Sequence, residues 1–231
     1  MRLTDLVPSF FKPVLRPIYC KIHYLYRRIT YRPRSRNELY QYWKHPWKFD
    51  NSNLPEDYLK PKERSLFLLK IMKPYANSNE KILEIGCNVG RNLNFLFLEG
   101  FKKLEGIEIN QKAVQLLNQS YPEMARYAKI YNLPLEEIIK EFKDCQFGIV
   151  FTMAVLEHIH TDSEWIFPEM VRITEKYLIT IEDERGLSWR HFPRKYKEIF
   201  EHYRMKQIQE FSCNQVDGLG SNYFARIFKK T

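Results

Sequence analysis

The chain has 231 residues, of which 44% are hydrophobic and 28% are charged. This composition excludes a disordered chain, and the length suits one α/β domain with an appendage. The charge is uneven, because residues 1–50 contain 11 Lys and Arg against 3 Asp and Glu, while the whole chain has a net charge of +9. A basic segment of this kind favours an anionic partner, either membrane headgroups or nucleic acid.

The cysteines and the apolar runs indicate where the protein is found. Cys20, Cys87, Cys145 and Cys213 form no C-x-x-C pair and no Cys/His cluster, which argues against a zinc site. No apolar run is long enough for a transmembrane helix, and residues 1–30 lack the apolar stretch of a signal peptide. Free thiols fit a reducing compartment. We therefore expect a cytoplasmic protein, or one at the inner face of the membrane.

Residues 1–34 predict a basic amphipathic arm. Apolar residues recur there at steps of three or four, with Lys and Arg between them, and Pro17 can open a helix that runs to about Tyr31. Such a helix either lies in a membrane interface or packs on its own domain. Residues 35–60 are expected to form a polar, Pro-punctuated connection. The chain therefore divides into an arm and linker, 1–59, and a domain, 60–231.

Strands and helices are predicted to alternate after a first helix near residues 66–74. The strands are expected at 81–85, 104–109, 127–131, 147–152, 177–182, 205–212 and 222–229. The helices are expected at 90–98, 110–119, 134–142, 163–173 and 194–203. This alternation predicts a doubly wound, mostly parallel sheet of seven strands. The last two strands have little between them, so they are expected to form an antiparallel hairpin at the sheet edge.

A glycine loop follows the first strand, with Gly86 and Gly90 flanking Asn88. Glycine tolerates a positive φ, and Asn does so better than most residues. The spacing G-x-x-x-G matches neither the dinucleotide fingerprint nor the P-loop, which favours a ligand bound without a phosphate contact. Glu108 is expected to end the second strand, where a carboxylate can accept hydrogen bonds from ribose hydroxyls.

Three segments resemble motifs of the class I S-adenosylmethionine-dependent methyltransferases. LEIGCNVGRNL resembles motif I of that superfamily, GIEIN resembles its second motif, and FGIVFTMAVLEHI resembles its fourth-strand motif. The resemblance implies a Rossmann-like fold, S-adenosylmethionine as cofactor and methyl transfer as the reaction. The domain over 60–231 is accordingly expected to be a methyltransferase domain.

The resemblance also implies roles for the site residues. Glu84 would anchor the cofactor's amino group, Glu108 would hold its ribose, and Met153 would lie under it. Asn88 stands where the family often has a second glycine. The remaining residues implied at the cofactor are Gly86, Cys87 and Gly90 at the methionine end, and Ile109, Asn132 and Leu133 at the adenine. Asn132 departs from the acidic residue that the family often has there.

The segment after the fourth strand is expected to supply the catalytic residues. A hydroxyl acceptor needs a base, and His158, with Glu157 beside it, suits that task near neutral pH. The segment VLEHI also resembles methyltransferases of the ubiquinone pathway and of small RNAs, some of which bind a divalent metal with a further Glu. Ala154 stands at that position here, so the sequence predicts no metal.

Several functions remain open at this point. The first is O-methylation of a small molecule or saccharide, with a lipid-linked saccharide suggested by the basic arm. The second is RNA methylation, against which the domain without the arm is nearly neutral and contains no RNA-binding module. The third is a catalytically silent cofactor-binding protein.

Overall fold

The computed structural model of the protein describes residues 34–49, 52–60 and 62–231. The basic arm predicted over residues 1–34 therefore lies, except for Arg34, outside the described residues. None of the helices within the described ranges is both long enough and apolar enough to cross a bilayer.

A seven-stranded sheet forms the centre of the domain, with the strand order β3-β2-β1-β4-β5-β7-β6. The strands are β1 Lys81–Ile85, β2 Lys103–Ile107, β3 Lys129–Tyr131, β4 Phe147–Met153, β5 Thr174–Asp183, β6 Met205–Ser212 and β7 Tyr223–Lys230. The first five strands pair in parallel, and β7 pairs antiparallel with both β5 and β6. The predicted Rossmann-like sheet and its antiparallel edge hairpin are confirmed.

Eight α-helices and six short 3-10 turns precede or connect the strands in the described chain. The α-helices are α1 Arg36–Lys44, α2 Lys62–Met72, α3 Arg91–Leu98, α4 Gln111–Ser120, α5 Pro122–Tyr127, α6 Leu135–Ile138, α7 Ile166–Ile173 and α8 Tyr196–His202. The 3-10 turns are Pro46–Lys48, Pro55–Leu59, Lys73–Tyr75, Ile139–Glu141, Leu156–His158 and Thr161–Ser163.

The sheet carries one apolar cluster on each face. Side chains alternate across a strand, so Ile82 packs with α2 and α3 on one face, while Leu83 packs with α7 and α8 on the other. Strand β4 is buried along its whole length, as expected of a parallel strand covered on both faces. The central strands are therefore held on both sides, and their carboxyl ends form a firm edge.

The strand expected at 127–131 begins only at Lys129, after helix α5, which was not predicted. Three further element predictions need correction. Residues 36–44 form helix α1 with Leu39 and Tyr42 buried, whereas the sequence was expected to give a polar connection over 35–60. Strand β2 ends at Ile107, so Glu108 follows it. The helix predicted over 134–142 is the short α6 followed by a 3-10 turn. The prolines and polar residues of 35–60 suggested a linker, but Ser35 caps a helix at the start of this segment.

Candidate active site

One large pocket opens at the carboxyl ends of β1, β2 and β4. Strands β1 and β4 are neighbours, but the chain between them runs out through β2 and β3 before it returns. The connections therefore diverge at this place, which is where open α/β sheets bind ligands. The pocket encloses about 1240 Å³, including its open mouth.

The glycine loop has the backbone that its residue types allow. Gly86 has a φ of 74°, Asn88 of 47° and Gly90 of 73°, so the left-handed conformation expected of Asn88 is confirmed. The amide of Gly86 donates to the carbonyl of Ile107 at 2.8 Å. This bond fixes the loop to the end of β2, and the loop backbone lies at the pocket floor because no side chain intervenes at glycine.

Glu84 is a buried carboxylate with one unused oxygen. Its Oε1 accepts from Nδ2 of Asn92 at 2.7 Å, while its Oε2 is buried and has no hydrogen-bond partner. Burial raises the pKa of Glu84 to about 8. A buried carboxylate oxygen without a partner is costly, and it suits a cationic ligand group such as an ammonium.

A polar network behind Glu84 holds it in place. The hydroxyl of Ser65, on α2, donates to Oδ1 of Asn92 at 2.6 Å. Nε of Arg91 donates to the same hydroxyl at 2.9 Å. These bonds connect helix α2 to helix α3 next to the carboxylate of Glu84. The network therefore holds the Glu84 side chain in one position.

Glu108 is held by backbone amides on both sides. Its Oε2 accepts from the amide of Asn88 at 2.8 Å and its Oε1 from the amide of Asn110 at 2.7 Å. Burial raises its pKa to about 6. Each carboxylate oxygen keeps a further lone pair, so a fixed acceptor for ligand hydroxyls lies beside the glycine loop.

The residues that the connection after β3 brings to the pocket differ from those expected. Leu133 lines the pocket, but Asn132 does not. The side-chain nitrogen Nδ2 of Asn132 instead donates to the backbone carbonyl of Glu108 at 2.8 Å. Glu136, on α6, lines the pocket with a buried Oε1 that has no partner, and the sequence reasoning missed it.

His158 lines the pocket from the 3-10 turn that follows β4. Its Nδ1 is 2.8 Å from the carbonyl oxygen of Arg190, and its ring centroid is 4.5 Å from that of Trp43. A carbonyl can only accept, so Nδ1 carries the hydrogen and Nε2 keeps its lone pair. Burial lowers the pKa of His158 well below its ordinary value, which keeps the ring neutral.

Glu157 is more enclosed than expected and does not line the pocket. Its Oε1 accepts from the hydroxyl of Tyr223 at 2.6 Å, and its Oε2 accepts from the amide of Asp183. Burial raises its pKa to about 7. Glu157, His158 and His191 each offer one ligand atom, and these atoms lie within 4.8 Å of one another, so the three residues are near enough to hold a metal ion.

The structure brings most of the predicted site residues to this one pocket. Those that line it are Glu84, Gly86, Cys87, Asn88, Glu108, Ile109, Leu133, Met153 and His158. Gly90 is instead the N-cap of α3, where an added Cβ would lie 2.6 Å from a side-chain carbon of Leu117. Ala154, next to Met153, has a φ of 56°, so a strained backbone also lies at this pocket.

Helix α1 supplies a pocket wall that the sequence reasoning missed. Leu39, Tyr40 and Trp43 line the pocket from this helix. The signal was present, because Ser35 and Glu38 form a capping box of the type that begins a helix. Leu39 and Tyr42, three positions apart just after this box, mark the buried face of that helix.

Residues 83–177 match the family model described as a methyltransferase domain. The chain contains an S-adenosylmethionine-dependent methyltransferase domain. The match begins within β1 and ends within β5, and it includes the glycine loop, Glu108 and the turn with His158. The protein is therefore an enzyme that transfers a methyl group from this cofactor. No curated protein matches the chain.

Solved methyltransferase structures share the fold at low sequence identity. An S-adenosylmethionine-dependent methyltransferase from Aquifex aeolicus has a TM-score of 0.59 at 15% identity, covering 79% of this chain and 100% of that one. Magnesium protoporphyrin IX methyltransferase from Synechocystis has 0.61 at 15%, covering 85% and 97%. Geranyl diphosphate C-methyltransferase from Streptomyces coelicolor has 0.60 at 9%, covering 74% and 77%. Two of these enzymes methylate different acceptors, geranyl diphosphate and magnesium protoporphyrin IX. The shared fold therefore does not identify the acceptor of this methyltransferase.

Proposed function

We propose that the enzyme methylates a hydroxyl of a small molecule or saccharide, and that His158 is the residue at which this hydroxyl is activated. The observation that carries the proposal is the 2.8 Å contact between Nδ1 of His158 and the carbonyl oxygen of Arg190, from which the tautomer of His158 follows. Because Nδ1 donates to the carbonyl of Arg190, the Nε2 lone pair is left for chemistry, on a residue that lines the pocket. A hydroxyl must lose its proton when its oxygen is methylated, and the Nε2 lone pair can accept that proton.

The cofactor end of the pocket is the part that contains Glu84 and Glu108. These two carboxylates are proposed to bind the cofactor. The unpaired Oε2 of Glu84 would accept from the amino group of the cofactor's methionine part. Glu108, already fixed by two backbone amides, would accept from the ribose hydroxyls. The cofactor supplies a methyl group on a sulfonium, so the protein's task is alignment and the exclusion of water. Ile109 and Leu133 supply apolar contact for the base.

The acceptor end of the pocket supports a small polyhydroxy acceptor. Trp43 lies against His158 and presents an aromatic ring of the kind that packs on the apolar face of a sugar. The hydroxyl of Tyr58 donates to Asn53 at 2.9 Å, and both residues line the pocket. Amide and phenol groups can bond ligand hydroxyls in either direction. A lipid-linked form of this acceptor rests only on residues 1–34 and is tested by sedimentation with anionic vesicles, with and without that segment.

A substitution of His158 tests the proposal. We expect His158→Ala to lower methyl transfer to a hydroxylated acceptor, found by screening sugars and phenols, by about 10²- to 10⁴-fold. The affinity for S-adenosylhomocysteine, measured by calorimetry, should stay within about two-fold. His160→Ala is the matched control, since His160 also lines the pocket but accepts from the amide of Asp162. Equal turnover of wild type and His158→Ala would remove His158 from the mechanism.

A further inference from the structure

The turn that carries His158 has its backbone amides bound by one buried carboxylate. Oε2 of Glu182, near the end of β5, accepts from the amides of Val155 and Leu156, each at 2.9 Å. The same oxygen accepts from the amide of Glu157 at 3.4 Å. Glu182 is fully buried. Successive amides that converge on one point form a concave site for a negative group, and here the chain supplies that group itself.

The carbonyls of the same turn are bound by a buried guanidinium. Nη1 of Arg194 donates to the carbonyl of Leu156 at 3.0 Å, and Nη2 donates to the carbonyl of Ile159 at 2.8 Å. Arg194 is 7% exposed. Its donors form a rigid planar fork, so the two carbonyls, which lie on either side of His158 in the chain, are held at a fixed separation.

Arg194 also belongs to the segment that supplies the partner of the His158 ring. Nδ1 of His158 donates to the carbonyl of Arg190. Between these contacts, the amide of Phe192 donates to the carbonyl of Glu157 at 2.8 Å. Residues 190–194 therefore follow the turn over its whole length. A shift of this segment would lengthen the bond at Nδ1, which is the bond that fixes the tautomer.

The two buried charges bind the backbone of the turn and do not pair with each other. Buried charges are normally paired with an opposite charge. Within residues 34–49, 52–60 and 62–231, Glu182 forms no ion pair with Lys or Arg, and Arg194 pairs only with the half-exposed Glu164. Both buried charges are thus directed at one turn, the negative charge at its N–H groups and the positive charge at its carbonyls.

We propose that Glu182 and Arg194 are positioning residues for His158, which hold its turn by binding the amides and the carbonyls of that turn. The inference rests on the proposed function, because the orientation of His158 matters to turnover only if its Nε2 takes the proton of the acceptor. Neither Glu182 nor Arg194 is among the residues that line the pocket, so each acts through His158. A misplaced reacting group can cost a large part of an enzyme's rate.

Arg194→Met tests the role of the guanidinium, because it removes the fork and keeps a long unbranched side chain. We expect kcat, measured with an acceptor from the sugar and phenol screen, to fall by about ten-fold or more. The affinity for S-adenosylhomocysteine should stay within about two-fold, because the cofactor carboxylates are held by other contacts. Wild-type kcat in Arg194→Met would overturn the proposal.

Arg172→Met is the matched control. Arg172 also donates to two carbonyls, those of Phe142 and Ile139, and its Nε donates to Glu169. It does not line the pocket. Both variants should lose stability in urea unfolding, and only Arg194→Met should lose kcat. If Arg194→Met does not fold, the same comparison is made with Arg194→Lys and Arg172→Lys, since one ammonium cannot span two carbonyls as the fork does.

A spectroscopic test of the same variants needs no acceptor. Nitrogen NMR of the histidine rings distinguishes protonation at Nδ1 from protonation at Nε2, and the signal of His158 is assigned by its loss in His158→Ala. The wild type and Arg172→Met should show His158 protonated at Nδ1. Arg194→Met should show a mixture of both tautomers, because the carbonyl of Arg190 is no longer held against Nδ1. An unchanged His158 signal in Arg194→Met would contradict the proposal.

The role of Glu182 is tested by two substitutions of similar size. Glu182→Gln keeps an oxygen that can accept from the three amides, whereas Glu182→Met removes it. We expect Glu182→Gln to retain most of the wild-type kcat and Glu182→Met to lose it as Arg194→Met does. Equal kcat of Glu182→Met and the wild type would remove Glu182 from the proposal.

The double variant with His158→Ala separates this inference from the proposed function. If Arg194 acts through His158, adding Arg194→Met to His158→Ala should lower kcat no further, because residues that act as a unit are not additive. Additive losses would overturn the positioning role and leave His158 in the mechanism. Wild-type turnover of His158→Ala would instead overturn the proposed function, while the NMR comparison would still decide whether Arg194 orients the ring.

Discussion

The two ends of the pocket are built by different means. The cofactor end consists of short continuous segments, residues 84–92 and 107–110, whose backbone groups bond to one another. The acceptor end joins parts that are far apart in the chain. Nη1 of Arg190 donates to the hydroxyl of Tyr42 at 2.6 Å, and Trp43 packs on His158. The cofactor end is therefore fixed mainly by backbone groups, with long-range support behind Glu84 from Ser65 on α2, and the acceptor end is fixed by long-range side-chain contacts.

This difference indicates which properties of the enzyme can vary separately. A backbone loop with positive φ values tolerates few residue types, so changes there should affect cofactor affinity and folding together. Side-chain contacts between α1, the turn after β4 and the segment near Arg190 can change while the sheet stays intact. Acceptor choice is thus expected to depend on the second group of contacts, which lie outside the glycine loop.

The largest effect is expected at the glycine loop. A Cβ at Gly86 would lie 2.4 Å from a methyl carbon of Val155, at a φ of 74°. The left-handed backbone costs about 1–2 kcal/mol and overpacking about 1–3 kcal/mol. We expect Gly86→Ala to lose about 2–5 kcal/mol in urea unfolding. Its S-adenosylhomocysteine affinity should fall by about ten-fold or more.

Gly100 provides the matched control for this substitution. It also has a positive φ, of 95°, but a Cβ there meets nothing within 4 Å. Gly100→Ala should therefore lose only the backbone cost of about 1–2 kcal/mol and keep its cofactor affinity. If both variants lose the same stability and neither loses affinity for S-adenosylhomocysteine, the backbone of the glycine loop does not determine cofactor binding.

The next effect is expected at Glu84. Replacing its unpaired carboxylate with an amide should lower S-adenosylhomocysteine affinity by about 1.5–3 kcal/mol, the value of a hydrogen bond to a charged group. The loss is measured by calorimetry with Glu84→Gln near pH 8. Asn92 can still donate to the amide oxygen, so the buried network should persist. Unchanged affinity would show that another group binds the cofactor's ammonium.

The same substitution should stabilise the protein without ligand. The pKa of Glu84 is about 8 in the folded protein and near 4.3 when unfolded. Between these values the unfolded chain releases a proton that the folded chain retains, so wild-type stability falls as the pH rises through this range. Glu84→Gln removes that loss. Its stability relative to wild type should therefore increase from pH 5 to pH 8 by a few kcal/mol, as measured by urea unfolding.

The contrast between the two ends also explains which features of the site could be predicted from the sequence. β1 and the glycine loop are adjacent in the chain, and Asn88 is of a residue type that tolerates the positive φ found there. Glu108 is correctly placed beside them, although β2 ends one residue earlier. These features depend on local spacing, which a single sequence contains.

The acceptor end depends on contacts that no local pattern specifies. His191 meets Glu157 only because β4 and β5 pair in parallel and bring the segments after them to one edge. Likewise Asn132 turns to bond the backbone of Glu108, and Glu136 comes to the pocket in its place. Helix α1 is the exception, since its capping box was legible in the sequence.

The smallest effect is expected at that cap. The hydroxyl of Ser35 accepts from the amide of Glu38 at 3.3 Å, and its loss in Ser35→Ala should cost about 1 kcal/mol. In a chain of this size that corresponds to a fall in melting temperature of about 2–4 °C. Ser78→Ala, in an exposed turn, should show no such shift. Hydrogen exchange should increase in residues 36–44 and not in β1.

The cap also tests whether the two ends are separate. Helix α1 contributes Trp43 beside His158, so Ser35→Ala should raise the KM for the acceptor. It should leave S-adenosylhomocysteine affinity within about two-fold, because Glu84 and Glu108 are held by α2, α3 and the loop. A parallel loss of cofactor affinity would mean that α1 closes over both ligands. The long-range contacts of Arg190 with Tyr42 would then serve cofactor binding as well as the acceptor.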